Sequence, residues 1–389
     1  MLAAFAKLGV TSFGGPIAHL GYFRAELVQK RRWLGEEDYG DLVALCQFLP
    51  GPASSQVGFA LGLARGGLLG ALFAFAAFTL PSAALLVLFA LGASVLHGPI
   101  ALGVLSGLQV VAIAVVAQAV WGMARTLAPD VRRACIAAVA AVVALLPLGS
   151  WGQVGAIVLG GVAGAILCRD TTEADAAAGR LRFGVPGWVG AVCLAVFAVL
   201  LVGLPIAASA TGARVLAVFD AFYRSGALVF GGGHVVLPLL QTAVVGPGWV
   251  DQSRFLDGYA AAQAVPGPLF TFAGYLGAVL HGEPTGVAGA AIALLGVFLP
   301  GLLLVVGVLP FWDALRSRRW VRAVMRGANA SVVGILAAAL YTPVFTSAIT
   351  GVAPFALGLI CFVLLTAVRM PPWAVVIVGA AGGVVIRLL

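Results

Sequence analysis

Charged residues are scarce in this chain. They make up 9% of the 389 positions, whereas hydrophobic residues make up 62%. A soluble domain carries about a quarter charged residues, because its surface has to be solvated. The shortage of charge therefore excludes a water-soluble globular protein of this size, and the mean hydropathy of +1.11 indicates a chain embedded in lipid.

Long stretches also lack every acidic and basic side chain. A transmembrane helix needs about 20 apolar residues to cross a hydrocarbon core of about 30 Å. Stretches of that length without Asp, Glu, Lys, Arg or His follow Arg65, His97, Arg133, Arg182, Asp257, Glu283 and Arg326. We predict an all-α polytopic membrane protein with about 9–13 hydrophobic segments.

Cysteine is rare, and its spacing excludes the usual cysteine sites. The five cysteines stand singly in apolar segments, without a CxxC pair or a Cys/His cluster. We therefore expect neither a metal site nor a disulfide framework nor a cofactor. A Walker A sequence is also absent, so ATP-driven transport is not indicated.

The net charge of +8 has a simpler explanation than nucleic-acid binding. Most basic residues stand in short loops between apolar segments, where they orient a membrane protein. We expect lipid as the surrounding partner and no nucleic acid.

An internal repeat is the most informative feature that is present. Phe13-Gly14-Gly15 recurs as Phe230-Gly231-Gly232, an offset of 217 residues that also pairs Lys7 with Arg224. After one deletion, Trp33, Asp41, Gln47 and Pro50-Gly51-Pro52 recur as Trp249, Asp257, Gln263 and Pro266-Gly267-Pro268, and Leu80-Pro81 later recurs as Leu299-Pro300. We predict an N-terminal repeat at 1–170, a linker with a connecting transmembrane helix at 171–210, and a C-terminal repeat at 211–389.

The number of crossings between the copies decides their relative orientation. Seven apolar segments precede the second copy, or five crossings remain if the first two segments are re-entrant, and either odd number inverts it. Re-entrant leading segments place the loop 30–32 on the same side as the arginine-rich loops 125–133, 169–182 and 316–322. By the positive-inside tendency, we expect a bacterial inner-membrane protein with a cytoplasmic N-terminus and a periplasmic C-terminus.

The duplicated breaks are candidate substrate sites. Irregular backbone is tolerated in a membrane only where protein or a water-filled cavity surrounds it. Pro-Gly-Pro ends one helix and begins another, whose first amides and nearby hydroxyls suit an oxyanion. The alternative is that glycine and proline only permit kinks and close packing.

We predict substrate-binding residues in both copies. Those of the first are Lys7, Ser12, Phe13, Gly14, Gly15, His19, Gln47, Pro50, Gly51, Pro52, Ser54, Ser55 and Gln56. Those of the second are Arg224, Gly231, Gly232, Gly233, His234, Gln263, Pro266, Gly267, Pro268 and Thr271.

The charged candidates each have two interpretations. Lys7 and Arg224 either neutralise an anion or extend to the membrane interface. Asp41 and Asp257 either carry a coupling proton or pair with a cation. For His19 and His234 the choice is between a pH-sensitive ligand and a polar helix contact.

These motifs resemble the signature of the chromate transporter (CHR) family. The resemblance rests on Phe13-Gly14-Gly15-Pro16, the stretch from Trp33 to Gln56, Phe78-Thr79-Leu80-Pro81-Ser82 and their second copies, and it covers essentially the whole chain. It implies the long, two-domain form, which exports chromate from the bacterial cytoplasm and confers resistance. The expected partners are chromate, with sulfate as a competitor, and we also consider a homodimer.

Other functions remain open at this stage. A carrier of sulfate or another oxyanion, working by symport or antiport, and an anion channel both fit the same features. An intramembrane reductase would need a redox cofactor site, so we expect no enzymatic activity.

Overall fold

The computed structural model describes residues 1–12, 15–93, 99–146, 150–168, 184–230, 235–316, 318–346 and 349–388, and these residues form helices and no strand. Among the described residues, five helices are long and apolar enough to cross a membrane: Ala53–Gly92, Ile100–Leu127, Gly187–Thr211, Gly286–Phe311 and Arg319–Thr342. Shorter apolar helices stand beside them. The prediction of an all-α polytopic membrane protein is therefore confirmed.

In its described residues, repeat 1 contains seven helices and one π-helical segment: α1 (Leu2–Thr11), α2 (Gly15–Phe23), the π segment (Arg24–Lys30), α3 (Glu36–Phe48), α4 (Ala53–Ala93), α5 (Pro99–Leu127), α6 (Val131–Leu145) and α7 (Ser150–Leu167). In the described residues, helix α8 (Gly187–Thr211) stands between repeat 1 and repeat 2, and it lies almost wholly in the predicted linker. Residues 169–183, which include the start of that linker, lie outside the described residues.

Repeat 2 follows the same order: α9 (Arg214–Ala227), α10 (Val236–Val244), α11 (Gln252–Ala264), a 3₁₀ turn (Leu269–Thr271), α12 (Phe272–Ala278), α13 (Gly286–Val308), a 3₁₀ turn (Leu309–Phe311), α14 (Trp312–Arg316), α15 (Arg319–Ala339), a π segment (Leu340–Phe345), α16 (Val352–Thr366) and α17 (Pro372–Leu388).

The first two helices form a re-entrant hairpin. Phe5 on α1 and Phe23 at the end of α2 lie with ring centroids 6.0 Å apart, so the chain returns to the level at which it entered. Trp33 lies 6.1 Å from the Phe5 ring, and the Arg65 guanidinium lies 4.8 Å from the Trp33 ring. We call the end of the molecule that carries Phe5, Trp33 and Arg65 face A.

Helix α3 and the first arm of α4 form a second re-entrant hairpin from face A. The arm begins after Pro-Gly-Pro and returns to Arg65. The helix then reverses at Gly66 and Gly67, whose backbone is not helical. Its second arm runs from this turn across the molecule and is the first full crossing.

Repeat 2 enters from the opposite end. Arg214, at the start of α9, stacks on Trp249 after α10, with 5.4 Å between guanidinium and ring, and donates a hydrogen bond to the carbonyl of His281. We call this end face B. Between the two sets of hairpins the chain runs five times from one end of the molecule to the other, in the second arm of α4 and then in α5, α6, α7 and α8. Of these, α6 and α7 are not among the helices long and apolar enough to span a membrane. Repeat 2 is thus inverted relative to repeat 1.

Long helices of each repeat pack on the other repeat. Helix α5 packs on α16 and α17, and its counterpart α15 packs on α6 and α7. Glycines make both crossings close: a side chain at Gly107 would collide with the backbone of Gly379, and one at Gly327 with that of Gly160. Small residues allow such close approach where no hydrophobic effect drives helix association.

Candidate functional site

The helix breaks of the two repeats meet through a matched pair of backbone hydrogen bonds. The amide of Gly267 donates to the carbonyl of Ser12 at 2.9 Å, and the amide of Gly51 donates to the carbonyl of Val229 at 2.7 Å. Val229 is the counterpart of Ser12, and Gly267 is the counterpart of Gly51. Each Pro-Gly-Pro turn is therefore held by the other repeat's break.

These turns require glycine for two reasons. Gly51 has a φ of +123° and Gly267 one of +107°, a region that side chains disfavour. A Cβ on Gly51 would lie 3.0 Å from the Cα of Gly301, and one on Gly267 would lie 2.8 Å from the Oγ of Ser82. Gly301 and Ser82 are themselves counterparts, so the residues that contact the two turns are also equivalent between the repeats.

Buried polar side chains of repeat 1 lie close together beside these two turns. We call them the central polar cluster: Ser12, His19, Ser54, Ser55, Gln56 and Thr79. His19 Nδ1 lies 3.4 Å from the Oγ of Ser54, and the ring lies next to the backbone of Ser12. The Gln56 amide donates to the carbonyls of Pro50 at 2.9 Å and Gly301 at 3.0 Å, which ties the start of α4 to repeat 2.

The cluster holds more hydrogen-bonding capacity than its neighbours use. Within the described residues, five of its buried atoms have no partner: Ser12 Oγ, His19 Nε2, Ser55 Oγ, Gln56 Oε1 and Thr79 Oγ1. An unpaired buried polar group costs about 1–3 kcal/mol. Such a concentration of unpaired groups requires an explanation, and a polar ligand would supply the missing partners.

The equivalent positions of repeat 2 are largely apolar. Ser12, His19, Ser54, Gln56 and Thr79 correspond to the buried residues Val229, Val236, Phe270, Phe272 and Phe298. Ser55 alone keeps a hydroxyl, as Thr271, and that group donates to the carbonyl of Pro268 at 2.6 Å. Within the described residues, the polar lining beside the two turns therefore comes mainly from repeat 1.

The paired cations Lys7 and Arg224 do not join the cluster. Lys7 is half exposed near face A and bonds Glu26 at 2.8 Å, and Arg224 bonds Asp220 at 2.7 Å. Hydrogen bonds from Lys7 and Arg31 lower the pKa of Glu26, which lies in the π segment, to about 2.

The paired carboxylates have different surroundings. Asp257 is buried and accepts a hydrogen bond of 2.9 Å from Gln109 on α5, whereas Asp41 is half-buried. Gln47 is exposed and Gln263 is half-buried. Within the described residues, no group of three His, Cys, Asp or Glu side chains could hold a metal ion.

Six predicted site residues lie outside the described residues: Phe13, Gly14, Gly231, Gly232, Gly233 and His234. Gly15 is the first residue of α2 and has a φ of +79°, a conformation that favours glycine. The prediction omitted Thr79, Ser82 and Gln109. The first two belong to the motif Phe78-Thr79-Leu80-Pro81-Ser82, so the sequence already contained a signal for them.

Comparison with known proteins identifies the family. The family model of the chromate transporters matches residues 1–165 and 216–384, once in each repeat. The chain belongs to the chromate transporter family. The resemblance seen in the sequence is thereby confirmed.

Relatives of this transporter extend over most of its length. It is 31% identical to the chromate transport protein of Pseudomonas aeruginosa, over 87% of this chain and 79% of the relative. It is 28% identical to the probable chromate transport protein of Synechococcus elongatus, over 98% and 93%. It is 29% identical to the chromate transport protein of Cupriavidus metallidurans, over 86% and 80%. These names point to a transporter and not to an enzyme, and no solved structure matches the chain.

Proposed function

We propose that this protein is a secondary transporter that exports chromate across the bacterial inner membrane. The observation that carries the proposal is the central polar cluster, whose unpaired buried groups lie where the helix breaks of two inverted repeats meet. Transporters built from such repeats bind their substrates at the repeat interface near the bilayer midplane.

The chemistry of the cluster suits a tetrahedral oxyanion. Every oxygen of chromate accepts hydrogen bonds, and the hydroxyls of Ser12, Ser55 and Thr79 are donors without an acceptor in the described residues. Helix α4 begins at Ala53, beside Ser54 and Ser55, so its positive N-terminal end adds to the attraction for an anion.

The membrane potential is sufficient to drive export. Moving one charge through 100 mV is worth about 2.3 kcal/mol, so a dianion that leaves an inside-negative cell gains about 4.6 kcal/mol. That free energy corresponds to a gradient of about a thousandfold. Coupling to protons is therefore not required for export, whereas inward transport of a dianion would require it.

Face A is the cytoplasmic face in this proposal. The basic residues Lys30, Arg31, Arg65, Arg132, Arg133, Arg318, Arg319 and Arg322 lie at that end. Positive charge on the cytoplasmic side is the usual orientation of membrane proteins. The substrate would move from face A to face B as the repeats alternate between two arrangements.

The test is uptake of labelled chromate into inside-out vesicles that contain the purified protein, under an inside-positive potential. We expect saturable uptake that sulfate inhibits. Replacing Ser54 and Ser55 together by alanine should lower it at least tenfold, because two hydroxyls at the cluster are lost. Ser106→Ala is the matched control, since Ser106 is exposed on α5 and bonds only its own helix, at Leu102.

Two results would contradict the proposal. Uptake that stays unchanged in the double serine variant would remove the central polar cluster from the pathway. Proton-dependent sulfate flux without any chromate flux would show a different substrate and direction.

A further inference from the structure

A second polar site lies apart from the central polar cluster. It is a cavity of about 370 Å³ between α7, α8, α9 and α10. Gln153, Asp220, Arg224, Thr242 and Trp249 are among its lining residues. Trp249 belongs to face B, so the cavity extends inward from that face to Arg224.

An ion pair forms the charged wall of the cavity. Arg224 Nη2 lies 2.7 Å from Asp220 Oδ2, with 37% of the Arg224 side chain and 5% of the Asp220 side chain exposed. The other carboxylate oxygen, Asp220 Oδ1, and the Arg224 Nε are buried and have no partner in the described residues. The pair is electrically neutral, yet both members retain unused hydrogen-bonding capacity.

No other charge from the surrounding helices competes with this pair. Helices α7, α8, α10 and α13 contain no Asp, Glu, Lys, Arg or His. On α9 itself, the Tyr223 hydroxyl donates to the carbonyl of Phe197 at 3.1 Å. Arg214 lies at the rim against Trp249. At the same rim, His281 Nε2 lies 3.2 Å from Asp251 Oδ2, and the amide of His281 donates to the carbonyl of Trp249. Among the described residues that line the cavity, Arg224 and Asp220 are the ionisable ones.

Repeat 1 neutralises its equivalent cation differently. Ala3 stands at the position that corresponds to Asp220, and Lys7 pairs with Glu26, which belongs to the π segment and not to α1. The fold therefore does not require a carboxylate one turn before this cation. A buried carboxylate placed there only in repeat 2, and beside a cavity, is better explained by a role in that cavity.

We propose that the cavity is a proton-controlled oxyanion site, in which ionised Asp220 holds the guanidinium of Arg224 and protonated Asp220 releases it to a tetrahedral oxyanion entering from face B. This inference rests on the proposed transport of an oxyanion, and it adds a second site to the central polar cluster. Protonation changes the charge of the pair from zero to +1, which attracts a dianion. Because coupling between two ligands is reciprocal, the proton and the anion strengthen each other's binding.

Fluorescence of Trp249 gives a direct readout of this site. Chromate absorbs near-ultraviolet light where tryptophan emits, so chromate bound in the cavity quenches the nearby indole, and Trp249→Phe identifies that share of the signal. Sulfate serves as the displacing ligand because it remains a dianion across the pH range. For the purified wild-type protein we expect sulfate affinity to rise about tenfold for each unit by which the pH falls, while Asp220 is mostly ionised.

The variants separate this mechanism from a structural role. Asp220→Asn mimics the protonated state, so its sulfate affinity should be pH-independent within about twofold. Asp220→Glu should keep the pH dependence, and Arg224→Gln should lose at least tenfold in affinity. Glu26→Gln is the matched control, because it removes the partner of the equivalent cation in repeat 1. Its sulfate affinity should depend on pH as in the wild-type protein.

Several results would overturn the inference. One is that sulfate affinity depends on pH in Asp220→Asn as it does in the wild-type protein. The others are an unchanged sulfate affinity in Arg224→Gln and an absence of quenching at Trp249. If Asp220→Asn fails to fold, the double variant with Arg224→Gln leaves no unpaired buried charge, and it should fold and lose the pH-dependent binding.

Chromate flux without quenching at Trp249 would contradict this site alone. Quenching that depends on pH, without any chromate flux, would contradict only the proposed function.

Discussion

At the scale of single residues, glycine at the two Pro-Gly-Pro turns links conformation to the meeting of the repeats. Gly51 and Gly267 each combine a positive φ with a neighbour at or within 3.0 Å of the position that a Cβ would occupy. Their amides make the two cross-repeat hydrogen bonds. A side chain at either position would displace the turn from its partner.

Gly51→Ala should therefore lower chromate flux at least tenfold. The unfavourable φ costs about 1–3 kcal/mol, and the contact with Gly301 adds to it. Gly248→Ala is the matched control, because Gly248 has a φ of +74° with nothing near its Cβ position. Flux in reconstituted vesicles checks the prediction. Equal losses in the two variants would mean that conformational strain alone, and not the crossing, is responsible.

Glu26 joins three basic side chains at face A: Lys7, Lys30 and Arg31. Its pKa in the folded protein is about 2, below the ordinary 4.5, so its stabilising effect is present above pH 4.5 and declines as the pH falls towards 2. Glu26→Gln should cost about 1 kcal/mol near neutral pH, the size of an ion-pair network near a surface. Thermal unfolding at pH 7 and at pH 3 checks this, and an equal loss at both pH values would contradict it.

At the scale of elements, the re-entrant hairpins differ in what they contact. Helix α11 packs on α5 and α17, where Asp257 bonds Gln109, whereas α3 packs on α4 and the first π segment. Since Gly107 and Gly327 occupy equivalent crossings, Asn329 is the counterpart of Gln109, and its Oδ1 is buried without a partner in the described residues. Helix α11 is therefore joined through Asp257 to a long helix of the other repeat, and the packing of α3 is not equivalent to it.

A cross-link between α11 and α5 should stop transport if these contacts alternate. The native cysteines are first replaced, and Gln109→Cys and Asp257→Cys are then joined by a short bifunctional thiol reagent. We expect cross-linking to lower the chromate flux of this double variant at least tenfold. A pair at Lys7 and Glu26 is the control, because both residues belong to one hairpin and its cross-link should leave flux largely intact. Full flux through the protein cross-linked at 109 and 257 would refute alternation at this contact.

The sequence was sufficient to predict the elements but not the asymmetry between them. Repeated Gly, Pro and Trp positions predicted two copies, because such residues constrain the backbone wherever they stand. The basic loop 30–32 favoured re-entrant leading segments, because these place it on the same side as the other basic loops. The roles of Asp220 and Gln109 depend on which helix faces which across hundreds of residues, and no local pattern encodes that. Lys7 and Arg224 were predicted as a pair, yet their neighbours Ala3 and Asp220 give them different partners.

At the scale of the whole molecule, inversion places equivalent loops on opposite sides of the membrane. In the cysteine-free background, Asp251→Cys at face B should react with a membrane-impermeant thiol reagent in intact cells. Gln29→Cys at face A should react only after the cells are opened, because basic loops remain in the cytoplasm. Labelling of Gln29→Cys in intact cells would reverse the proposed orientation.

The exchange of long helices between the repeats sets an order of events during synthesis. The glycine face of α5, made early, packs on α17, which is made after most of repeat 2. Until α17 leaves the ribosome, the glycine face of α5 remains uncovered in the bilayer. Loss of α17 would therefore uncover the glycine face of α5, which belongs to the part of the molecule that is made first.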